Sequence, residues 1–226
     1  MNGESRLVPF GFGVSPAARD VAELHERLLP RSPVVRLGRH FAEEFYYGIL
    51  TRRGYIFGAV SHRAATAVGF IACTLDARGF MPAAARRYPL QLARVLSKSL
   101  LFAPGRLGVV REVWRIMTER RRVAAVERCG EVLSYGVSAE HRRAASGHSI
   151  AEELTRYAFS VFEAHGVREV HAIVDTDNAA SRRFLERLGW RLTRTQVPGW
   201  ATPSIEYVWR PGEQLSDGHD FQQPTG

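Results

Sequence analysis

Residues 131–190 read EVLSYGVSAEHRRAASGHSIAEELTRYAFSVFEAHGVREVHAIVDTDNAASRRFLERLGW, and this stretch decides the fold. Glu131 to Val137 is a short apolar run of strand character, followed by a polar, arginine-rich turn. Ile150, Leu154, Tyr157, Ala158, Val161 and Phe162 then recur at three- and four-residue steps, the period of a helix with one buried face. That helix is expected from Gly147 to His165, with Gly166 as its C-terminal stop. Val167 to Val174 is a second short apolar strand, and Asn178 opens another helix that closes at Leu188 and Gly189. Strand, helix and strand in this order form a βαβ unit, whose two parallel strands need a crossover helix.

Outward from this unit the pattern is less regular. Arg6 to Val14 alternates loosely and ends at Ser15 and Pro16, an N-cap and first helical position for a helix carrying Val21, Leu24 and Leu28. Leu37, Phe41, Phe45, Tyr46 and Leu50 mark a second helix that Gly54 ends. Tyr55 to Val60 and Val68 to Thr74 then read as a β-hairpin separated by Ser61, His62 and Arg63. From Arg78 to Arg128 the period is helical again, with one stripe over Leu90 to Leu101, a break at Pro104 and Gly105, and a second stripe over Val109, Val113, Ile116 and Met117. Trp190 to Val197 and Ser204 to Trp209 alternate as two last strands. The chain therefore reads as one α/β domain over residues 1–210 with a helical insertion at about 78–128, and a polar tail 211–226 of disordered composition.

Composition bounds the rest. At 226 residues, 45% hydrophobic and 24% charged, the chain can bury a sizeable core without a staple, and its 2 cysteines make neither a disulfide framework nor a zinc site. No apolar run reaches the roughly 18 residues that span a bilayer, and the first 30 residues lack a signal-peptide core, so the expected location is cytoplasmic. The net charge of +8 invites a nucleic-acid reading, but no interleaved aromatics or groove-reading helix accompany it. His141, His148, His165 and His171 fall on different elements with no cysteine or carboxylate cluster, so no metal is expected.

The turn His141-Arg-Arg-Ala-Ala-Ser-Gly147 carries the chemical signal. A helix N-terminus offers unpaired backbone N–H groups and the positive end of its dipole, small residues let a phosphate approach, and arginine adds charge and a donor fork. By itself such a turn is also an ordinary solvated loop. The whole register from Glu131 to Trp190 resembles the GNAT superfamily of N-acetyltransferases. That family has a strand, an R-x-x-G-x-G/A turn, a long helix, a strand, and an Asn opening a helix that closes with Gly and an aromatic. Arg142 matches the motif arginine and Gly147 its last small residue, while Asn178, Phe184, Gly189 and Trp190 fall at the family's spacing. The chain departs from the pattern at Ala145, in place of the first motif glycine, and at Leu185, where many members carry a tyrosine that protonates the departing thiolate.

The resemblance implies a mixed, mostly antiparallel twisted sheet with splayed central parallel strands flanked by helices. It implies acetyl-CoA, or a longer acyl-CoA, as donor, with no metal. The pyrophosphate would lie on Arg142, Arg143, Ala145, Ser146, Gly147 and His148. Pantetheine would run between the splayed strands, its amides pairing with backbone from Tyr135 through Val137 to Ser138, and Asn178 would contact the cofactor as well as cap its own helix. The acceptor would be a primary amine of a small molecule, amino sugar or peptide. An alkylamine is almost wholly protonated at neutral pH, so a base is needed, and Glu131 lies where the family often places a carboxylate. Tyr135, on the same strand, is the nearest replacement for the missing acid, although a thiolate can also take its proton from water. Loss of the acid at Leu185 equally fits a non-catalytic acyl-CoA-binding module.

The insertion holds 12 basic residues against Glu112, Glu119 and Glu127, a net +9, leaving the remainder of the chain nearly neutral. Three roles fit it. It shapes an acceptor pocket and favours an anionic acceptor such as a nucleotide sugar; it rests on an anionic membrane or an acidic acyl carrier protein; or its apolar stripe closes over the core or a second copy in a homodimer.

Overall fold

The computed structural model describes residues 5–14, 18–123, 128–142 and 149–212. The strands are β1 (Ser5–Phe10), β2 (Phe57–Arg63), β3 (Thr66–Thr74), β4 (Cys129–Val137), β5 (Glu169–Asp175), β6 (Arg191–Arg194) and β7 (Ser204–Trp209). They form one sheet in the order β1-β2-β3-β4-β5-β7-β6. Every neighbouring pair is antiparallel except β4 and β5, which are parallel, as the crossover requires.

Two irregularities in the middle of the sheet prepare the site. The β4–β5 ladder runs only from Cys129 opposite Glu169 to Val132 opposite Ala172, although β4 continues to Val137 and β5 to Asp175. Beyond Val132 the two strands part. On its other side β4 carries a bulge against β3, where Ala72 faces Ser134, Cys73 faces Val132, and Leu133 is left without a partner. An extra residue turns consecutive side chains to the same face. Leu133 accordingly joins the apolar cluster under the first helices, and Ser134 reaches His25, while Val132 and Tyr135 point to the opposite cluster.

One face of the sheet is covered by α1 (Ala18–Leu28), a π-helix (Phe41–Leu50) and the insertion, the other by α6 (Ile150–Ala164) with α7 (Ala179–Arg187). The insertion folds as α3 (Phe80–Arg87), α4 (Pro89–Phe102) and α5 (Leu107–Val123), one helix more than the two stripes predict, because Pro89 starts a new helix. The helix expected across Leu37 to Leu50 is divided. Pro33 opens a short α2 (Pro33–Arg36), and Gly38, at a φ of +101° that disfavours any side chain, turns the chain before the π-helix.

The hairpin is longer than its apolar runs suggest. Ser61, His62 and Arg63 stay in β2, and the turn falls at Ala64 and Ala65, because β1 pairs with β2 through Ser5 opposite Arg63 and holds the polar residues in register. Among the described residues α6 begins at Ile150. Ser149 accepts from the Glu152 N–H at 3.2 Å, and the Glu152 carboxylate accepts from the Ser149 N–H at 3.3 Å. The expected start at Gly147 and the Ser15-Pro16 cap lie outside the described residues, as does most of the tail. Gly166, at a φ of +65°, ends α6 as expected.

Candidate active site

Where β4 and β5 part, a cleft of about 480 Å³ passes through the sheet between Val132–Tyr135 and Ala172–Asp175. On the α6 face it is walled by Tyr135, Thr155, Asn178, Phe184 and Leu185. On the other face it opens into a larger space under α1, the π-helix and the insertion.

Tyr135 sits where the strands diverge, its ring stacked on Phe184 at 5.6 Å between centroids and 8° between planes. Burial pushes its phenol well above the ordinary range, against a smaller opposing effect of the neighbouring Thr155 hydroxyl. The proton therefore stays on oxygen through the physiological range. Leu185 lines the same wall with a side chain that cannot donate a proton. Asn178 lines the cleft and also caps α7, its side-chain oxygen accepting from the Ser181 N–H at 3.1 Å.

Other predicted residues fall differently. Glu131 is buried in the paired part of β4, opposite Thr74 and His171, one residue short of the cleft and not in its wall. The period of two along the strand turns its carboxylate away from the position its neighbour Val132 holds. Val137 and Ser138 close the strand beyond the cleft wall. The Ser138 N–H donates to Val68 O at 2.8 Å, and Val137 O accepts from Arg142 Nε at 3.1 Å, so these two groups are already engaged within the chain. Arg143, Ala145, Ser146, Gly147 and His148 lie outside the described residues. His141, His165 and His171 lie on a 3-10 turn, at the end of α6 and in β5 respectively.

Sequence reasoning missed three groups that the tertiary structure brings to the site. Asp175, at the end of β5, faces the cleft and accepts from the Thr202 hydroxyl at 2.7 Å. Glu112 on α5 is buried and holds three elements together. Its Oε2 accepts from Arg36 of α2 at 2.7 Å and its Oε1 from the Ala201 N–H of the β6–β7 loop at 3.2 Å. Arg115 adds bonds of 3.1 and 3.0 Å to Gly199 O of the same loop. The legible signal for Glu112 was an acid set among Val109, Val113 and Ile116 on an inward stripe. The third group is Ser134, whose hydroxyl lies 3.5 Å from Nε2 of His25. His25 is fully buried on α1, with Nδ1 2.7 Å from the Tyr47 hydroxyl. Burial pushes its imidazole down to about 3, so it is neutral at physiological pH.

Residues 100–191 match the family model described as an acetyltransferase (GNAT) domain. No curated protein sequence matches the chain significantly. Among solved structures, Arabidopsis thaliana NAA60 bound to a bisubstrate analogue is similar over 93% of this chain and 100% of its own, at 13% identity and a TM-score of 0.54. The NatC complex bound to Gag peptide and CoA is similar over 92% and 98%, at 13% identity and a TM-score of 0.56. An agmatine N-acetyltransferase variant in apo form matches over 92% and 100%, at 15% identity and a TM-score of 0.55. At such identities the likeness is one of fold. The family match spans the bulged strand, the crossover helix and the parted parallel pair, and the whole chain is similar in fold to these GNAT-type N-acetyltransferase structures.

Proposed function

We propose that the chain transfers an acetyl group from acetyl-CoA to a primary amine, with Tyr135 as the proton donor to the departing thiolate. The single observation that carries this reading is the position of Tyr135, stacked on Phe184 in the wall of a cleft that opens where β4 and β5 part. Tyr135 occupies the same wall as Leu185, so the hydroxyl missing from α7 is supplied from β4 across the same space. Acetyl-CoA, when bound, supplies the thioester. Asn178, Phe184 and the walls formed by Val132–Tyr135 and Ala172–Val174 are the described residues that would hold its arm, and the cleft, open through the sheet, fits a slender chain of that kind. For the proton of the amine, Asp175 is better placed than Glu131, because a base must come within hydrogen-bond reach, directly or through one water. Tyr135→Phe is expected to lower kcat at least about 10-fold, the modest end of general-acid effects because water can replace the acid, with CoA affinity unchanged. Thiol release by stopped-flow and CoA binding by calorimetry check this. Unaltered kcat would remove Tyr135 from the chemistry.

For the outer face of the insertion we propose contact with the surface of an anionic bilayer. Leu90, Leu101, Phe102 and Trp114 are 81%, 79%, 76% and 70% exposed, with exposed Arg94 and Arg111 between them. Apolar groups standing in solvent among arginines suit an interface whose headgroups are negative. A second copy would set one net +9 segment against another. Among the described residues no helix is long and apolar enough to cross a membrane, so the contact is superficial. Co-sedimentation with phosphatidylglycerol vesicles at low salt, lost at high salt and weakened by Trp114→Ala, is expected. Absence of binding at low salt would refute it.

A further inference from the structure

Resting on the reading of the chain as an acetyltransferase, we infer that its acceptor is a monoamine with an apolar body, aryl or alkyl, seated in a chamber that the insertion builds. The bulge separates two sides of the site. Tyr135 and Val132 face α6 and α7, and Leu133 and Ser134 face α1. Donor and acceptor must meet where the sheet opens, and the α6 face is the one that carries Asn178, Phe184 and the turn at Arg142. The acceptor therefore comes from the opposite face, through walls that include Leu28, Phe41, Met81, Val113, Ile116 and Met117. Three of these come from α5 and one from α3, so the insertion closes one side of the chamber, and α1, the segment 29–37 and the π-helix close the other.

The carboxylate that the insertion contributes to this space is already committed. Glu112 spends Oε2 on Arg36 and Oε1 on the Ala201 N–H. At Glu112 a second ammonium, as in a diamine or polyamine, would have to compete with a buried ion pair, and a sugar would set hydroxyls against the apolar side chains of Leu28, Phe41, Met81, Val113 and Ile116. An alkyl or aryl group loses nothing there and gains from leaving water. The two methionines adapt their shape to such a group more readily than branched residues do. The loop that carries Trp200 and Ala201 is fastened to α5 by Glu112 and Arg115, which keeps the chamber roofed.

The test is a series of straight-chain primary amines from propyl to heptyl, with phenethylamine, putrescine and glucosamine, each supplied with acetyl-CoA, while thiol release gives kcat/KM. Each added methylene is expected to raise kcat/KM by about 3- to 4-fold until the chamber fills, the factor that burying one methylene allows. Putrescine and glucosamine are expected to lie at least about 10-fold below the best monoamine. Val113→Phe, which narrows the chamber, is expected to move the optimum to shorter amines and leave CoA binding by calorimetry unaltered. A parallel series of acetyl-, butyryl- and octanoyl-CoA with one amine assigns the chamber. A length preference confined to the acyl-CoA series would overturn the inference by giving the chamber to the donor, and so would a flat amine series or a best rate with putrescine or glucosamine. The amine outcomes leave the acetyltransferase reading in place, and the acyl-CoA outcome keeps acyl transfer but replaces acetyl with a longer acyl group. No CoA binding and no thiol release with any amine would overturn that reading and the inference with it.

Discussion

The environment of His25 gives a prediction that can be worked through numerically. The ring is completely buried between α1, the π-helix and β3, packed against Phe70 at 5.3 Å and held by Tyr47 at 2.7 Å. Burial lowers its pKa from 6.5 to about 3. A group with a depressed folded pKa leaves the unfolded chain binding more protons between the two values, so stability is present above 6.5 and is lost as pH falls. Going from pH 7 to pH 5 this one residue should withdraw about 2 kcal/mol, since about 1.5 units of the interval below 6.5 have been crossed. Few other shifted groups act in that window. His171, which burial pulls down but Cys129 and Glu206 raise more strongly to about 10, adds stability that is lost only as pH climbs from 6.5 towards 10. Glu23, lowered mainly by Arg19 and Arg39, acts below 4.5. Urea denaturation at pH 7 and pH 5, on the wild type and on His25→Gln, is the assay. The wild type should lose about 2 kcal/mol more over this interval than the variant, which is less stable at pH 7 but flatter. Equal losses in the two proteins would refute the argument.

Three further outcomes follow from the same contacts. Leu185→Tyr in the Tyr135→Phe background should restore part of the lost kcat, because both positions wall the same side of the cleft; no recovery in thiol-release kinetics would separate them functionally. Glu112→Gln breaks the bond that Arg36 makes to a buried carboxylate and should cost about 2 kcal/mol in urea denaturation while raising KM for the amine more than KM for acetyl-CoA. Ser149→Ala removes the cap of α6 and should lower stability by about 1 kcal/mol, read by the same denaturation.

The features readable in one dimension were those set by local rules. Ile150 to Phe162 at helical spacing, Gly166 and Gly189 as helix stops at positive φ, Asn178 as a cap, and two short apolar strands around a crossover helix define the βαβ unit without any knowledge of packing. The insertion's charge was equally legible, because net charge is a sum over residues.

Everything that depends on which residues meet across the sheet had to come from the tertiary structure. A bulge is a mismatch between two strands, so the opposed facing of Leu133 and Ser134 against Val132 and Tyr135 is invisible in β4 alone. The same mismatch puts Tyr135 and Glu131, four residues apart on one strand, on opposite faces, and Glu131 stays outside the cleft because it lies where β4 and β5 are still paired. Glu112 looks from the sequence like one acid in a basic helix. Only when α5 packs beside α2 and the β6–β7 loop does it become a buried tie for Arg36 and Ala201 in the lining of the cleft. The sequence by itself determined the βαβ unit and the resemblance carried by its motif residues, with the departure at Leu185, because these reside in spacing along the chain. The tertiary structure decided that Tyr135 shares a cleft wall with Leu185 and that the insertion lines the opposite side, because both depend on distances between residues far apart in sequence.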